Sequence, residues 1–176
     1  MSRNVIRVSL TPDGISRLID EVEAYKKWIT SKVTEFVSRL GEEGVSIASA
    51  QFSQAQYDGT NDVSVSLEVR DSNRVAVVAI GAATLFIEFG TGVLYPDDHP
   101  EAAENGMVRG MYGSRLGRLQ KGWRYVGDPG THGEVITEGK HVGEIRTLGN
   151  PANMPMYNTV KELEERFAEI AREVFV

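Results

Sequence analysis

The chain has 176 residues, of which 41% are hydrophobic and 25% charged, and its formal net charge is −6. A chain of this size can bury roughly 70% of its extended surface, so a single domain is expected and neither disorder nor a collagen-like repeat describes it. The absence of cysteine excludes disulfides, thiolate zinc sites, iron–sulfur clusters and cysteine nucleophiles, and the acidic balance argues against wrapping a duplex without regard to sequence.

Val5 to Leu10 reads as a short strand. Thr11-Pro12-Asp13 then gives an N-cap followed by proline at the first helical position. Apolar residues at Ile15, Leu18, Ile19, Val22, Tyr25, Ile29, Val33, Phe36, Val37 and Leu40 draw one helical stripe. The spacing predicts a helix that ends at Gly41, about 42 Å long. After a break from Gly41 to Gly44, Val45, Ala48, Phe52 and Ala55 repeat at helical spacing; Val45, Ile47 and the serines also permit a strand, but a second helix is favoured because Ala48 and Ala50 allow close packing.

From Asp62 the period changes to two. Val63, Val65, Leu67 and Val69 alternate with polar residues, as in a half-buried strand. Asp71-Ser72-Asn73 is a turn, and the apolar run Val75 to Ile80 reads as a central strand antiparallel to the first. Thr84 to Phe89 reads as one or two helical turns closed by Gly90, and a third strand fits its composition almost as well.

Fourteen of the 18 glycines lie between Gly81 and Gly149, so loops and short hairpins are expected there. The better strand candidates in that stretch are Trp123 to Val126, Glu134 to Thr137 and Glu144 to Leu148. A final helix follows, with Thr159 and Glu162 as a capping box and Val160, Leu163, Phe167, Ile170, Ala171 and Val174 as its apolar stripe. The expected fold is therefore α+β: an antiparallel sheet packed by a long N-terminal and a C-terminal helix. Its core would be residues 1–92 and 150–176, with a long Gly-rich loop and hairpin insertion at 93–149.

No uninterrupted apolar run reaches the roughly 20 residues of a membrane span, and the opening MSRNVIRVSL has no signal-peptide core; a cytoplasmic site of assembly without a membrane partner is expected. Chemistry-bearing motifs are scarce. His99, His132 and His141 have Asp97, Asp98, Glu101, Glu134 and Glu138 near them, but none falls into a metal-ligand spacing, although His132 and Glu134 would share a strand face. Neither a G-x-S-x-G elbow nor a phosphate-binding glycine motif occurs. No catalytic residue, metal or cofactor is expected. Glu88, a carboxylate among Phe86, Ile87 and Phe89, reads as the cap of a turn or the partner of an arginine in preference to a perturbed general acid.

Charge is more informative. No acidic residue lies between Asn105 and Gly127, where Arg109, Arg115, Arg118, Lys121 and Arg124 alternate with Met107, Met111, Tyr112, Trp123 and Tyr125. Such a mixture suits a contact surface for an acidic protein neighbour, with DNA as a second reading.

Several segments in order carry a resemblance. They are Leu85-Phe86-Ile87-Glu88-Phe89-Gly90-Thr91-Gly92, Tyr95-Pro96 with His99-Pro100, Gly106-Met107-Val108-Arg109-Gly110, Trp123-Arg124-Tyr125 with Gly127, and Asn150-Pro151-Ala152-Asn153-Met154-Pro155-Met156. Together they resemble tail-completion and head–tail joining (neck) proteins of tailed bacteriophages, over most of the chain from Ile15 onward. The E-F-G-T core is short and widespread in that family, and the N-P-A-N-M-P segment is the more specific. The resemblance implies a virion protein assembled in the host bacterial cytoplasm as a sixfold or twelvefold homo-oligomeric ring, in contact with other head–tail or tail proteins and with DNA in the channel. It implies no catalysis. Glu88, Phe89, Gly90 and Thr91 form one structural motif, and Asn150, Pro151, Met154 and Pro155 the other. The alternatives are a tail terminator capping the tail tube and, further off, a metal-binding hydrolase.

Overall fold

The structure is a computed structural model and describes residues 9–91, 98–107 and 122–175. It is α+β. Helix α1 spans Pro12–Gln54, β1 Ser64–Asp71 and β2 Arg74–Ile80 form an antiparallel hairpin, and helix α2 spans Thr84–Phe89. Strands β3 Trp123–Tyr125, β4 Gly133–Val135 and β5 Ile145–Thr147 follow, and helix α3, Pro155–Phe175, closes the described chain.

The start of α1 follows the sequence: Thr11 accepts the Gly14 N–H at 3.2 Å and Pro12 occupies the first turn. Its expected end does not. The helix runs through Gly41 and Gly44 without a break, so two expected helices are one of 43 residues, about 64 Å long. Both glycines are buried where the hairpin crosses the helix. A Cβ at Gly41 would lie 2.5 Å from Leu67 Cδ1 and 2.7 Å from Val75 Cγ2. One at Gly44 would lie 2.8 Å from Val77 Cγ2 and 3.2 Å from Leu163 Cδ1. The two glycines are therefore a docking notch for β1, β2 and α3. Their cost in helix propensity, up to about 1 kcal/mol each, is offset by the close approach they allow.

The hairpin turns at Ser72-Asn73, where Asp71 Oδ1 accepts the Asn73 N–H at 2.8 Å. Strand β2 pairs only with β1 among the described residues, so the expected central strand is half of a two-stranded sheet. Phe52, Ala83 and Ile87 make the core cluster, with Val63, Val65, Ala79 and Met156 packed on it. Ala48 is fully buried, as its size suggested, whereas Ala50 is exposed.

In the glycine-rich stretch, β3, β5 and β4 form a second antiparallel sheet in that order, with Ile145 buried at its centre. Strands β3 and β5 lie inside the segments expected as strands, whereas β4 begins one residue ahead of its expected Glu134 start and ends at Val135, short of Thr137. Ser9 and Leu10 are irregular, and the rest of the expected first strand lies outside the described residues. Helix α3 begins four residues before the expected capping box. Thr159 is the fifth residue of the helix, buried, and its hydroxyl donates back to the Pro155 carbonyl at 2.7 Å. It is thus no N-cap. Phe36 of α1 packs against Phe167 and Phe175 of α3 at centroid distances of 5.1 and 5.8 Å, and Arg166 bridges Glu43 and Glu162. No helix among the described residues is long and apolar enough to cross a membrane.

Alanine for glycine on an open helix face stabilises by about 1 kcal/mol. Gly41→Ala is expected to give no such gain, and Gly41→Val to cost about 1–3 kcal/mol through overpacking, read as a lowered urea midpoint at unchanged slope.

Candidate functional site

Pro155 opens α3 and has no N–H to leave unpaired. The next two amides are part-buried, and one side chain takes both. Glu88 Oε2 accepts the Met156 N–H at 2.7 Å, and Oε1 accepts the Tyr157 N–H at 3.0 Å. Glu88 is 6% exposed. Its carboxylate caps a helix that starts 67 residues later in the chain, at the end of the macrodipole that favours negative charge. This is the structural role the sequence suggests for it, although its side-chain partner is a histidine.

That partner is His99, 4% exposed, with Nε2 3.1 Å from Glu88 Oε1. The His99 Nδ1 accepts the Glu101 N–H at 3.0 Å. An Nδ1 used as acceptor places the ring proton on Nε2, which donates to the carboxylate. Phe89 and Tyr157 flank the imidazole at centroid distances of 4.4 and 5.5 Å.

The backbone around this carboxylate joins the two motifs that carry the resemblance. The Thr91 N–H donates to the Asn150 carbonyl at 2.8 Å, and the Asn150 N–H returns to Thr91 Oγ1 at 3.1 Å. The Asn153 and Met154 N–H groups donate to the Ile87 and Glu88 carbonyls at 2.9 and 3.2 Å. Gly90 has φ 76°, and a Cβ there would sit 2.7 Å from Ala152 N and 2.8 Å from the Asn150 carbonyl oxygen, so only glycine lets the strands of chain meet. Pro151 lies between these contacts. Met154, with φ 56°, is the described non-glycine residue in the left-handed region, and it turns the chain into α3.

A third segment enters the same junction. Asn153 Oδ1 accepts the Gln56 N–H at 2.8 Å and its Nδ2 donates to the Gln56 carbonyl at 3.0 Å, while Asn150 Oδ1 accepts the Asp58 N–H at 3.2 Å. Two aspartates that the sequence reading passed over act like Glu88. Asp62 accepts the Ala82 and Ala83 N–H groups at 2.8 and 2.9 Å and so holds the turn that leads into α2. Asp58 accepts those of Thr131 and His132 at 2.8 and 2.9 Å, with the His132 ring 3.2 Å away. The backbone N–H groups of Ala83 and Ala82 hold the Asp62 carboxyl below its ordinary value. For Asp58, burial works in the opposite direction, but the two amides and His132 outweigh it and the net shift is downward. The only sequence signal for these roles is an Asp/Asn-rich turn, Asp58 to Asp62, ahead of a strand.

The three histidines do not converge. His99 pairs with Glu88, His132 with Asp58 and His141 with Glu144. No group of three or more His, Asp or Glu that could hold a metal ion occurs among the described residues. His132 precedes β4, so it does not share a strand face with Glu134. Of the basic surface, Arg109, Arg115, Arg118, Lys121 and the side chain of Trp123 lie outside the described residues. Arg124 faces Glu144 at 3.4 Å, and the Tyr125 hydroxyl donates to the Asp128 carbonyl at 2.8 Å. Compared with protein-family models, curated proteins and solved structures, the chain matches none.

Glu88→Ala would strand two helix amides and the His99 N–H, each at about 1–3 kcal/mol, so a loss of at least about 3 kcal/mol is expected in urea unfolding, with a smaller loss for Glu88→Gln. The two aspartates set an acid limb. Both titrate below their ordinary value of 3.8 when folded, so their stabilisation is fully present above that pH and is lost as pH falls through the folded-state values. Asp58→Asn and Asp62→Asn should each flatten the fall in thermal midpoint below about pH 4.

Proposed function

We propose that the chain is a non-catalytic structural subunit of a tailed-bacteriophage particle, acting in head–tail joining or tail completion within a homo-oligomeric ring of six or twelve copies. The observation that carries this reading is the union of Glu88–Thr91 with Asn150–Pro155. These are the segments on which the resemblance to neck and tail-completion proteins stands, and their polar groups are bonded to each other. A motif used up in joining chain segments is what a scaffold needs and leaves no base poised beside a nucleophile.

Two further features support a subunit completed by neighbours. The first half of α1 carries a row of exposed large apolar residues, more than a solitary small domain needs to show. The stretch between the motifs has its two ends held together at Thr91 and Asn150, so it can vary or reach a partner without disturbing the core. Contacts with other head–tail proteins, and with DNA passing the channel, belong to that stretch, and the place of action is the virion after assembly in the bacterial cytoplasm.

The test is removal of the protein from a phage that encodes it. Filled heads and tails of normal length that fail to join are expected. Tails of excess length would assign the protein to tail termination, and infectious particles formed without it would contradict both roles.

A further inference from the structure

Among the described residues, the first half of α1 projects beyond the hairpin and α3 that its second half packs on. The hairpin lies against Gly41 and Gly44, and the last ring of α3, Phe175, reaches Phe36. Ahead of that contact, Ile15, Ile19, Val22, Tyr25, Trp28 and Ile29 are 37–55% exposed. Tyr25 and Trp28 stack on each other at 5.6 Å, making a broad aromatic surface of the kind that anchors interfaces.

The pattern in this segment specifies what covers it. Ile15, Val22, Ile29 and Phe36 recur every seven residues, and Leu18 and Tyr25 fall three residues after the first two. That is a heptad seam with these residues at a and d, which accepts another helix running alongside. At Phe36 the seam is occupied within the chain by α3. The next d position is Lys32, paired with Glu35, so the unfilled part runs from Ile15 to Ile29. Two heptads are too few to hold free peptides together, but here the helix is already formed as part of α1 and its nucleation is not charged to association.

Charge selects the partner and its direction. In this register Glu21, Trp28 and Glu35 occupy g, and Ile19, Lys26 and Val33 occupy e. A parallel copy sets g of one helix against e of the next heptad in the other, giving Glu21 opposite Lys26 and Trp28 opposite Val33. An antiparallel copy joins g to g and e to e, and neither set contains both signs. Among the described residues neither the Glu21 carboxylate nor the Lys26 ammonium has an ion-pair partner within the chain.

We infer that the seam from Ile15 to Ile29 is the surface through which copies of this chain associate, with α1 helices parallel and in register and Glu21 of one copy paired with Lys26 of its neighbour. The inference rests on the reading of the chain as a self-assembling subunit and names the surface that joins the copies.

The experiment measures mass by light scattering on the full chain as wild type, Val22→Asp, Glu21→Lys and Glu21→Lys/Lys26→Glu, with circular dichroism to show that each is folded. All three positions are exposed helix sites, so folding should survive. The wild type should associate, Val22→Asp should be monomeric at concentrations where the wild type is not, and Glu21→Lys should weaken association about tenfold or more. The double reversal should restore it. An associated wild type whose mass is unchanged by Val22→Asp, a double reversal no better than Glu21→Lys alone, or a monomeric wild type would each overturn the seam. The ring reading fails separately: a monomeric Val22→Asp chain that still supports normal particle assembly would overturn that reading while upholding the seam.

Discussion

A single buried carboxylate determines how the two ends of this fold meet. Helix α3 begins on a proline, and the first free amides of its part-buried start need acceptors. Glu88, from α2, takes both. Once Glu88 is fixed, its backbone and that of Ile87 receive the chain that leads into α3, and Gly90 must be glycine because that chain passes within van der Waals distance. His99 then finds its place by donating to the same carboxylate while its other nitrogen receives the Glu101 amide. The orientation of α3 on the Gly41–Gly44 notch follows from that anchorage.

The same device recurs at lower burial. Asp62 holds the turn that leads into α2 and Asp58 the turn that leads into β4. In each case a carboxylate accepts two consecutive backbone N–H groups from a distant part of the chain. Charge-assisted bonds of this kind are stronger than neutral ones and are directional, so three of them can position a small fold that has few fully buried apolar side chains.

Much of the architecture was legible from local signals. Thr11-Pro12 marked a helix start and the period of two from Val63 marked a strand, because each signal is produced and used within a few residues; Thr84–Gly90, short and mostly apolar, fitted a helix and a strand almost equally. The failures share the opposite property. Gly41 and Gly44 look like a helix end, and only the neighbours Leu67, Val75, Val77 and Leu163 reveal that they are a notch. Thr159 and Glu162 have capping-box spacing, but the cap comes from Glu88, and Pro155 was the better marker of the first turn. Val75–Ile80 reads as a central strand because it is apolar throughout, whereas the helices and not further strands cover it. At the candidate site, the residues of the two motifs were legible and their union was not, since Thr91 and Asn150 are 59 positions apart.

A scaffold organised in this way has its motifs turned inward and its unfilled apolar seam turned outward, which suits a part that acts by being placed among copies of itself. Everything in that arrangement depends on the protected first turn of α3. Hydrogen exchange of the Met156 and Tyr157 amides in the wild-type protein tests it most directly. First-turn amides normally exchange freely for want of a partner; here both should be protected to nearly the level of global unfolding. Exchange as fast as at an open helix end would contradict the role given to Glu88 and, with it, the joining of the two motifs.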